Sequence, residues 1–372
     1  MKKIAIIGAG FAGLSCAAKL SRSGLPLEIV LFDRKEEFDF LPLLPDCIGR
    51  NIRPENLAND AAGFCRDHKI RFVREQVDSL DLAQNRLNTA HNTYPYDYLV
   101  VASGSQPNFF SNADAQSYGY PLNNLADVRR IIALLREGNT ENFIIAGGGY
   151  TGIETATNLW RYFKNRKENK KIIIVERAPA ILGALPEWMR AYASGNLNKM
   201  GIEVWVNAVV EKILPGKVEV SGGRVLDRAA LFWVPGVRTA DFIQKLDLPK
   251  NPQGRIIVNG YLQCAKNCFC AGDAAFFTRD SNPLRMAVQF SFNQGAHAAK
   301  NIIKSIKNIP LEEFRPLDLG YVVPMANNLS CGRTLGLNVR GRLATFLHFS
   351  MCVFRSRGWK NKTGLIRDLL TG

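Results

Sequence analysis

Two glycine-rich turns contain the residues with the clearest chemistry in this chain. The first turn, Gly8-x-Gly10-x-x-Gly13, follows the apolar run "KIAII" and precedes a helical pattern. The next apolar run, "LEIVLF", is followed by Asp33, 20 residues after Gly13. Glycines at this spacing permit a tight turn and a close approach to a pyrophosphate, and the acid accepts hydrogen bonds from a ribose. The turn therefore predicts a dinucleotide site at a helix N-terminus, where N–H groups are free.

The same pattern occurs a second time. Gly147-x-Gly149-x-x-Gly152 lies between the apolar run "NFIIA" and a helical pattern. The next apolar run, "KIIIV", is followed by Glu176, 24 residues after Gly152. Two dinucleotide sites predict one ligand that stays bound and one that exchanges. That arrangement is typical of a flavoprotein that oxidises a nicotinamide.

The acid at the second site indicates which nicotinamide binds. A carboxylate pairs with free ribose hydroxyls and repels a 2′-phosphate, so Glu176 favours NADH. Arg177 lies next to it, and NADPH therefore stays the less favoured alternative.

The composition indicates a large, basic, globular protein. At 372 residues the chain is long enough for two or three domains. The formal net charge of +15 favours an anionic partner such as nucleic acid, a membrane surface or a phosphorylated ligand. No nucleic-acid-binding motif accompanies the charge, so we expect no nucleic acid. In residues 331–372, eight basic side chains stand against one acid, Asp368: Arg333, Arg340, Arg342, Arg355, Arg357, Lys360, Lys362 and Arg367.

The cysteines predict neither a disulfide framework nor a metal site. Eight cysteines are scattered along the chain, and Cys264, Cys268 and Cys270 form the one close group. C-x3-C-x-C without a nearby histidine is a poor zinc site, so we interpret these residues as buried strand cysteines. Reduced thiols fit an intracellular protein.

The apolar runs predict no membrane-spanning helix. The start, "MKKIAIIGAGFAGLSCAAKL", imitates a signal peptide, but the dinucleotide turn explains the same residues, and we expect no cleavage. A later run, Leu343 to Phe354, is shorter than the about 20 residues that a span needs. Basic clusters and Trp359 flank this run, which favours a segment at a membrane interface. A helix at a dimer interface is the alternative.

Beyond the two turns, the chain resembles the two-dinucleotide-binding flavoproteins and, within them, the type II NADH:quinone oxidoreductases. "VVASGSQPNFF" (100–110) is similar to the family's crossover between domains, with Ser103 in place of threonine. "GRIIVNGYLQCAKNCFCAGDAAFF" (254–277) is similar to its second FAD motif, in which Asp273 would bind the ribityl chain. The resemblance implies FAD at the first turn and NADH at the second.

The resemblance also implies which residues contact each cofactor. For FAD these are Gly8, Gly10, Phe11, Ala12, Gly13, Asp33, Arg34, Leu43, Ala102, Ser103, Gly104, Gly272 and Asp273. For NADH they are Gly147, Gly149, Tyr150, Thr151, Gly152, Glu176 and Gly236. Glu154 matches a family glutamate beside nicotinamide and flavin that could manage protons. The alternative for Glu154 is a first-turn acid that offsets the helix dipole.

An electron acceptor is implied by "PLRMAVQFSFNQGAHAAKNI" (283–302), which resembles the family's quinone-side helix. Gln289 and Gln294 match the family pattern, and Asn293 replaces a further glutamine. Amides can hydrogen-bond quinone carbonyl oxygens, and Phe290 and Phe292 can pack on the ring. A polar helix start that caps FAD without contacting an acceptor is the alternative. His297 is interpreted as a surface or packing residue.

The positions of the other cysteines argue against a thiol relay. Disulfide reductases of this fold have C-x4-C near residue 47, where this chain has only Cys47. No cysteine lies between Cys65 and Cys264, where a sulfide:quinone reductase needs one. Electrons are therefore expected to leave the flavin directly.

These observations predict an α/β fold with two Rossmann-like domains, the NADH domain inserted in the FAD domain. We expect an FAD domain over 1–112 and 254–310, an NADH domain over 113–253, and a small C-terminal membrane-docking or dimerisation region over 311–372.

The resemblance implies a respiratory NADH dehydrogenase that passes hydride from NADH to FAD and two electrons to a quinone without pumping protons. It implies a cytoplasmic enzyme that is peripheral on the inner face of the membrane. Whether the enzyme forms a homodimer stays open. The alternatives are a soluble or apoptosis-inducing-factor-like NAD(P)H-dependent reductase, a sulfide:quinone reductase-like enzyme, and a non-catalytic flavin-binding redox sensor or interaction protein.

Replacing Glu176 by Ala tests the choice of nicotinamide. The substitution removes both the ribose hydrogen bonds and the repulsion of a 2′-phosphate, so the NADH/NADPH ratio of kcat/KM should fall about ten-fold. Steady-state rates with each nucleotide measure this ratio. An unchanged ratio would contradict the role of Glu176.

Overall fold

The computed structural model describes residues 1–280 and 282–371. Its helices are α1 (Phe11–Ser21), α2 (Asp46–Gly49), α3 (Ala61–Asp67), α4 (Ala113–Tyr118), α5 (Leu125–Glu137), α6 (Tyr150–Arg166), α7 (Glu187–Lys199), α8 (Asp241–Gln244), α9 (Val288–Ile306), α10 (Arg342–Arg355) and α11 (Trp359–Thr371). Its strands are β1 (Lys2–Ile7), β2 (Leu27–Phe32), β3 (Glu37–Asp39), β4 (Ala58–Asp60), β5 (Arg71–Val73), β6 (Val77–Asp81), β7 (Arg86–Thr89), β8 (Thr93–Pro95), β9 (Tyr98–Val101), β10 (Gln106–Pro107), β11 (Asn142–Ala146), β12 (Lys171–Val175), β13 (Glu203–Trp205), β14 (Val210–Leu214), β15 (Lys217–Val220), β16 (Arg224–Asp227), β17 (Ala229–Trp233), β18 (Val237–Arg238), β19 (Ile256–Ile257), β20 (Gln263–Ala265), β21 (Cys268–Cys270), β22 (Ala275–Phe276), β23 (Thr278–Arg279), β24 (Asn282–Pro283), β25 (Gly320–Val323), β26 (Ser330–Thr334) and β27 (Leu337–Gly341).

The first of two compact units comprises residues 1–38, 60–106 and 237–318. Its main sheet has the order β20-β21-β9-β1-β2-β5, and every neighbouring pair except β20–β21 is parallel. The strands are continuous apolar runs rather than alternating ones because both faces of a parallel sheet are covered. The antiparallel sheet β6-β7-β8 lies in the same unit.

Helices α1 and α9 pack closely in this unit. A Cβ on Gly295 of α9 would lie 2.0 Å from the carbonyl oxygen of Ala12 in α1, so the contact depends on glycine. Buried residues such as Leu14, Ala17 and Ala298 complete the apolar core that these helices share with the sheet. The packing positions the start of α1, where the first glycine-rich turn ends.

The second unit comprises residues 39–59, 107–236 and 319–371 of the described chain. Its parallel sheet has the order β13-β12-β11-β17, and β14-β15-β16 form an antiparallel sheet. Helix α6 follows β11 directly, as α1 follows β1 in the first unit. The repeated glycine-rich turn therefore lies in the same strand–turn–helix context both times.

The C-terminal part of the second unit is packed into it. Strands β25, β26 and β27 form an antiparallel sheet that precedes α10 and α11. The carboxylate of Asp368 in α11 accepts hydrogen bonds from the backbone N–H and Nε of Arg53, each 3.0 Å long. Asn361 donates to the carbonyl oxygen of Ala58 at 2.7 Å. Both helices are therefore part of the folded unit.

The fold class predicted from the sequence is confirmed, since each unit contains a parallel sheet of the dinucleotide-binding type. Residues 39–59, expected in the FAD domain, group with the second unit, and residues 319–371 group with it as well. Within the described residues, no helix is both long enough and apolar enough to cross a membrane.

Replacing Gly295 by Ala should destabilise the first unit. The added Cβ would meet the Ala12 carbonyl oxygen, and such overpacking costs about 1–3 kcal/mol of unfolding free energy. Gly195→Ala in α7 is the matched control, because a Cβ there meets nothing within 4 Å and helix propensity improves. Urea denaturation of both variants measures the difference. Equal stabilities would contradict the close contact of α1 with α9.

Candidate functional site

The first glycine-rich turn has the geometry of a phosphate cradle. Gly8 has φ +100°, and a Cβ there would lie 2.4 Å from the carbonyl oxygen of Ala102. A Cβ on Gly13 would lie 1.8 Å from the carbonyl oxygen of Gly8. Gly10 is the N-cap of α1, and a Cβ there would meet nothing within 4 Å. The turn is thus crowded on its inner side and open where the helix begins.

The second turn repeats this geometry. Gly147 has φ +107°, and its Cβ would lie 2.7 Å from the Cα of Pro235. A Cβ on Gly152 would lie 1.9 Å from the carbonyl oxygen of Gly147. Gly149, the N-cap of α6, is open like its counterpart. Both turns therefore leave their first helical N–H groups accessible to an anion.

The two acids are oriented in the same way. Asp33 accepts hydrogen bonds from the backbone N–H groups of Ala9 at 2.8 Å and Lys35 at 3.0 Å. Glu176 accepts from the backbone N–H groups of Gly148 at 2.6 Å and Ala178 at 2.7 Å. Each carboxylate oxygen uses one acceptor position for the backbone and retains another. Both acids are therefore preorganised beside their turns and can still accept ribose hydroxyls.

Another set of polar contacts in the first unit is centred on Asp273. Ser105 Oγ donates to the Asp273 carboxylate at 2.8 Å, and Arg255 Nε donates to its backbone carbonyl at 3.0 Å. Burial raises the pKa of Asp273, while the Ser105 hydrogen bond and the Arg255 charge oppose this. The buried hydroxyl of Ser103 has no hydrogen-bond partner among the described residues. That orphaned hydroxyl and the open Gly10 fit a bound polar cofactor.

Ser105 and Arg255 are absent from the sequence-predicted site. Ser105 lies two residues beyond the substituted crossover position, and Arg255 is the second residue of the motif that contains Asp273. Both residues lie inside the crossover and FAD motifs, so membership of those motifs is the sequence feature that could have identified them. Their contacts with Asp273 depend on the fold, because both are remote from it in the chain.

The polar residues at the start of α9 make contacts within the first unit. Gln294 is buried, and its Oε1 accepts a hydrogen bond from the backbone N–H of Gly272 at 2.7 Å. Gln289 Nε2 donates to Asp318 at 3.1 Å. Phe290 is buried, whereas Phe292 is 48% exposed and Asn293 is half-buried. Gln294 thus supports the FAD-motif turn, as the capping alternative expected, and a quinone contact stays a prediction.

Glu154 lies in the second turn of α6, so it is not the first-turn acid that one sequence interpretation required. Burial, and then the negative charge of Asp46, raise its pKa well above the ordinary range. Asp46 is itself buried and accepts a hydrogen bond from Arg50 Nε at 2.9 Å. A carboxyl group in this position stays protonated at pH values where an exposed glutamate is ionised.

Helix α10 contributes two further titratable side chains near this group. His348 Nε2 lies 3.7 Å from Cys352 Sγ, and the guanidinium of Arg50 lies 4.7 Å from the ring centroid of Phe349. Burial and then the Arg50 charge lower the pKa of His348 to about 4. Burial also raises the pKa of the Cys352 thiol. The histidine is therefore neutral at pH 7.

The remaining predicted residues lie in both units. Phe11 and Ala12 are in the first turn of α1, and Tyr150 and Thr151 are in the first turn of α6. Leu43 is fully buried in the second unit, and Arg34 is exposed in the first. In the second unit, a Cβ on Gly236 would lie 3.3 Å from the Phe110 ring. His297, interpreted as a packing residue, places its ring 5.3 Å from that of Phe314.

Metal ligands are not grouped in the described part of the chain: no three His, Cys, Asp or Glu side chains there could hold an ion together.

The fold and the repeated turns define a protein with two dinucleotide-binding α/β units. A family model for pyridine nucleotide-disulphide oxidoreductases matches residues 2–301. The chain belongs to this family.

Individual relatives agree with the resemblance found in the motifs. A demethylphylloquinone reductase of Synechocystis sp. is 26% identical over 389 residues, which cover 99% of this chain and 96% of that protein. A type II NADH:quinone oxidoreductase of Staphylococcus aureus is 25% identical, with 93% of each chain covered. The solved structure of NDH2 from Plasmodium falciparum with NADH has a TM-score of 0.86 at 15% identity, covering 100% of this chain and 98% of that one. This last likeness shows the fold alone.

Replacing His348 by Gln tests the charge environment on α10. Since the unfolded histidine titrates near 6.5 and the folded one near 4, the unfolded state binds more protons between these values, and wild-type stability falls as the pH falls through them. Between pH 7 and 5 the wild type should lose up to about 2 kcal/mol more unfolding free energy than the variant. Urea denaturation at both pH values measures this. Parallel losses would contradict a His348 side chain that is neutral in the folded protein.

Proposed function

We propose that this protein is an FAD-dependent NADH:quinone oxidoreductase that works at a membrane surface. The main support is the repeated turn geometry, in which two glycine cradles each have a preorganised carboxylate. One chain that can bind two dinucleotides suits a reaction between them. The names of the relatives, a demethylphylloquinone reductase and a type II NADH:quinone oxidoreductase, agree with nicotinamide as donor and quinone as acceptor.

FAD fits the first unit. Gly8, Gly10 and Gly13 would admit its pyrophosphate, and Asp33 would accept ribose hydroxyls. Asp273, oriented by Ser105, would bind the ribityl chain, with the orphaned hydroxyl nearby as a further donor. When bound, FAD supplies the hydride and electron chemistry that protein side chains lack.

NADH fits the second unit. Gly147, Gly149 and Gly152 would admit the pyrophosphate, and the free N–H groups of α6 would face it. Glu176 would accept the two ribose hydroxyls, and its negative charge would disfavour the 2′-phosphate of NADPH. Gly236 has no side chain to obstruct the nicotinamide.

A quinone is the acceptor that suits the polar and aromatic residues of α9. Asn293 is half-buried and Phe292 is exposed, so these two side chains are available for an amide hydrogen bond and a ring contact. Gln289 and Gln294 would hold the start of α9 in position. No cysteine lies between Cys65 and Cys264, so a thiol relay of the sulfide:quinone type lacks its central residue.

Glu154 is proposed as a proton donor. Desolvation and then the negative charge of Asp46 raise the pKa of Glu154 well above its ordinary value, which favours the protonated form. Reduction of a quinone consumes two protons, and a carboxyl group with a raised pKa can supply one.

The docking face is our name for the exposed apolar side chains of α10 and α11. Consecutive members are three and eight residues apart in α10 and seven and four apart in α11, spacings that place them along one side of each helix. Phe346, Phe354, Trp359 and Leu370 are 67–83% exposed, and Leu343 and Ile366 are exposed with them. The buried positions of α10, Ala344, Thr345, Phe349 and Cys352, lie on its other side.

We propose an anionic lipid surface as the partner of the docking face. Basic side chains flank the apolar ones along the chain, and Lys362 Nζ lies 5.8 Å from the Phe354 ring centroid. Each cationic residue near an anionic leaflet contributes about 1 kcal/mol. We propose that the enzyme is peripheral on the inner, cytoplasmic face of a membrane, where its lipid-soluble substrate dissolves. A second copy of the chain is the competing partner.

The overall reaction is tested by stopped-flow absorbance of the FAD-loaded protein. NADH should bleach the flavin spectrum rapidly, and a ubiquinone or menaquinone analogue should restore it. Bleaching without reoxidation by quinone would contradict the proposed acceptor. Absence of bleaching would favour a non-catalytic flavoprotein.

Replacing Glu154 by Gln tests the proton donor. The amide has nearly the same shape but cannot release a proton, so quinone-driven reoxidation should slow by 10²-fold or more, a typical general-acid contribution. Flavin reduction by NADH should change by less than about two-fold, and serves as the internal control. Equal slowing of both half-reactions would indicate a structural role instead.

The docking face is tested by the double variant Phe346→Ser, Phe354→Ser. Removing two aromatic side chains that would insert into the lipid should weaken binding to vesicles containing anionic phospholipid at least ten-fold. Val225→Ser, at an exposed apolar position on β16, is the matched control and should bind normally. Unchanged vesicle binding by the double variant would refute the lipid surface. A shift from dimer to monomer in gel filtration would assign the face to a second copy.

A further inference from the structure

Two cysteines in the first unit lie unusually close together. Cys264 on β20 and Cys268 on β21 have their Sγ atoms 3.3 Å apart, in a hydrogen-bonded contact. A disulfide bond is about 2.05 Å long, so the two sulfurs are about 1.2 Å from bonding distance. We call these residues the hairpin thiol pair. None of the catalytic steps proposed above uses it.

The backbone explains why these thiols meet. Strands β20 and β21 form a hairpin whose turn includes Asn267 at φ +56°. Ala265 pairs with Cys268, and the register shifts between Gln263 and Ala265. In a regular ladder Cys264 would point away from Cys268, because side chains alternate. The bulge turns Cys264 toward the same apolar core.

The two thiols differ in accessibility. Cys264 is half-buried, whereas Cys268 is 1% exposed. The contact with Cys264, and then burial, raise the pKa of the Cys268 thiol well above its ordinary value. Cys264 is therefore the residue that an external reagent meets first, and Cys268 is placed to react in the second step.

We propose that the hairpin thiol pair is a redox modification site that forms a reversible disulfide by exchange with a low-molecular-weight disulfide. The thiolate of Cys264 attacks one sulfur of that disulfide, forming a mixed disulfide and releasing one small thiol. Cys268, on losing its proton, attacks Cys264 Sγ and releases the second small thiol. The two protein thiols lose two electrons and two protons, and the small disulfide is reduced to two thiols.

The position of the pair gives the modification a local consequence. Strand β21 pairs with β9 and continues directly into Gly272 and Asp273. A covalent link between β20 and β21 would restrict the strand that leads into this turn. Excess dithiol should reverse the link, since the exchange runs in both directions.

Cys270 supplies a control within the same strand. It lies two residues beyond Cys268, is fully buried and belongs to the same core. A regular strand separates side chains two positions apart by about 7 Å, too far for a bond between them. Cys270→Ser should therefore leave the modification unchanged.

The test uses the purified full-length protein incubated with glutathione disulfide. Remaining thiols are alkylated, and the protein is digested with trypsin without reduction. Cleavage after Arg255, Lys266 and Arg279 separates residues 256–266 from 267–279, so the pair lies on two peptides. The expected product is these two peptides joined, two hydrogens lighter than their sum, and absent after treatment with dithiothreitol.

Variants identify the sulfurs involved. Cys264→Ser and Cys268→Ser should each lower the yield of the joined peptide at least ten-fold, whereas Cys270→Ser should retain it. Cys264→Ser is the primary variant because its side chain is the more exposed, and circular dichroism checks its folding. Absence of the joined peptide in oxidised wild type, or a link that persists in folded Cys264→Ser, would overturn the proposal.

Discussion

The constraint on which both binding units depend is the absence of a Cβ at the strand–turn–helix junction. The carbonyl oxygens of Gly8 and Gly147 lie where a Cβ on the third glycine of each motif would be, within 2 Å. Any larger residue there would push the helix away from its strand. Because the helix stays close to its strand, its first N–H groups keep a fixed position at the turn. The acid that follows the next strand can then accept hydrogen bonds from the turn.

The same first unit connects distant segments through buried polar groups. Gly272 donates to Gln294, Asp273 accepts from Ser105, and Arg255 donates to the carbonyl of Asp273. These bonds join the end of β21, the segment after β9 and the start of α9. The position of a cofactor-binding residue in one segment therefore depends on side chains from the other segments. Gln294 is one of these supporting side chains.

In the second unit, charged groups are retained inside the fold. The Arg50–Asp46 pair is buried, the charge of Asp46 raises the pKa of Glu154, and the charge of Arg50 lowers the pKa of His348 on α10. A buried pair of this kind contributes little net stability, since desolvation offsets attraction. The effect that the structure does show is on the pKa values of these two neighbours. The outer side of α10 has the opposite character, with the apolar side chains Leu343, Phe346 and Phe354 exposed.

The sequence by itself determined the two turns, their acids, the α/β class and the family, because glycine spacing between an apolar run and a helical pattern, and the longer motifs, are local features. It also located Ser103, Gly272 and Asp273 through motifs. Only the tertiary structure decided that Gln294 supports Gly272, that Glu154 lies beside Asp46, that α10 has two distinct sides, and that a bulge brings Cys264 to Cys268. These facts depend on which remote segments pack together and on a one-residue shift in register. Residue spacing along the chain does not encode either one.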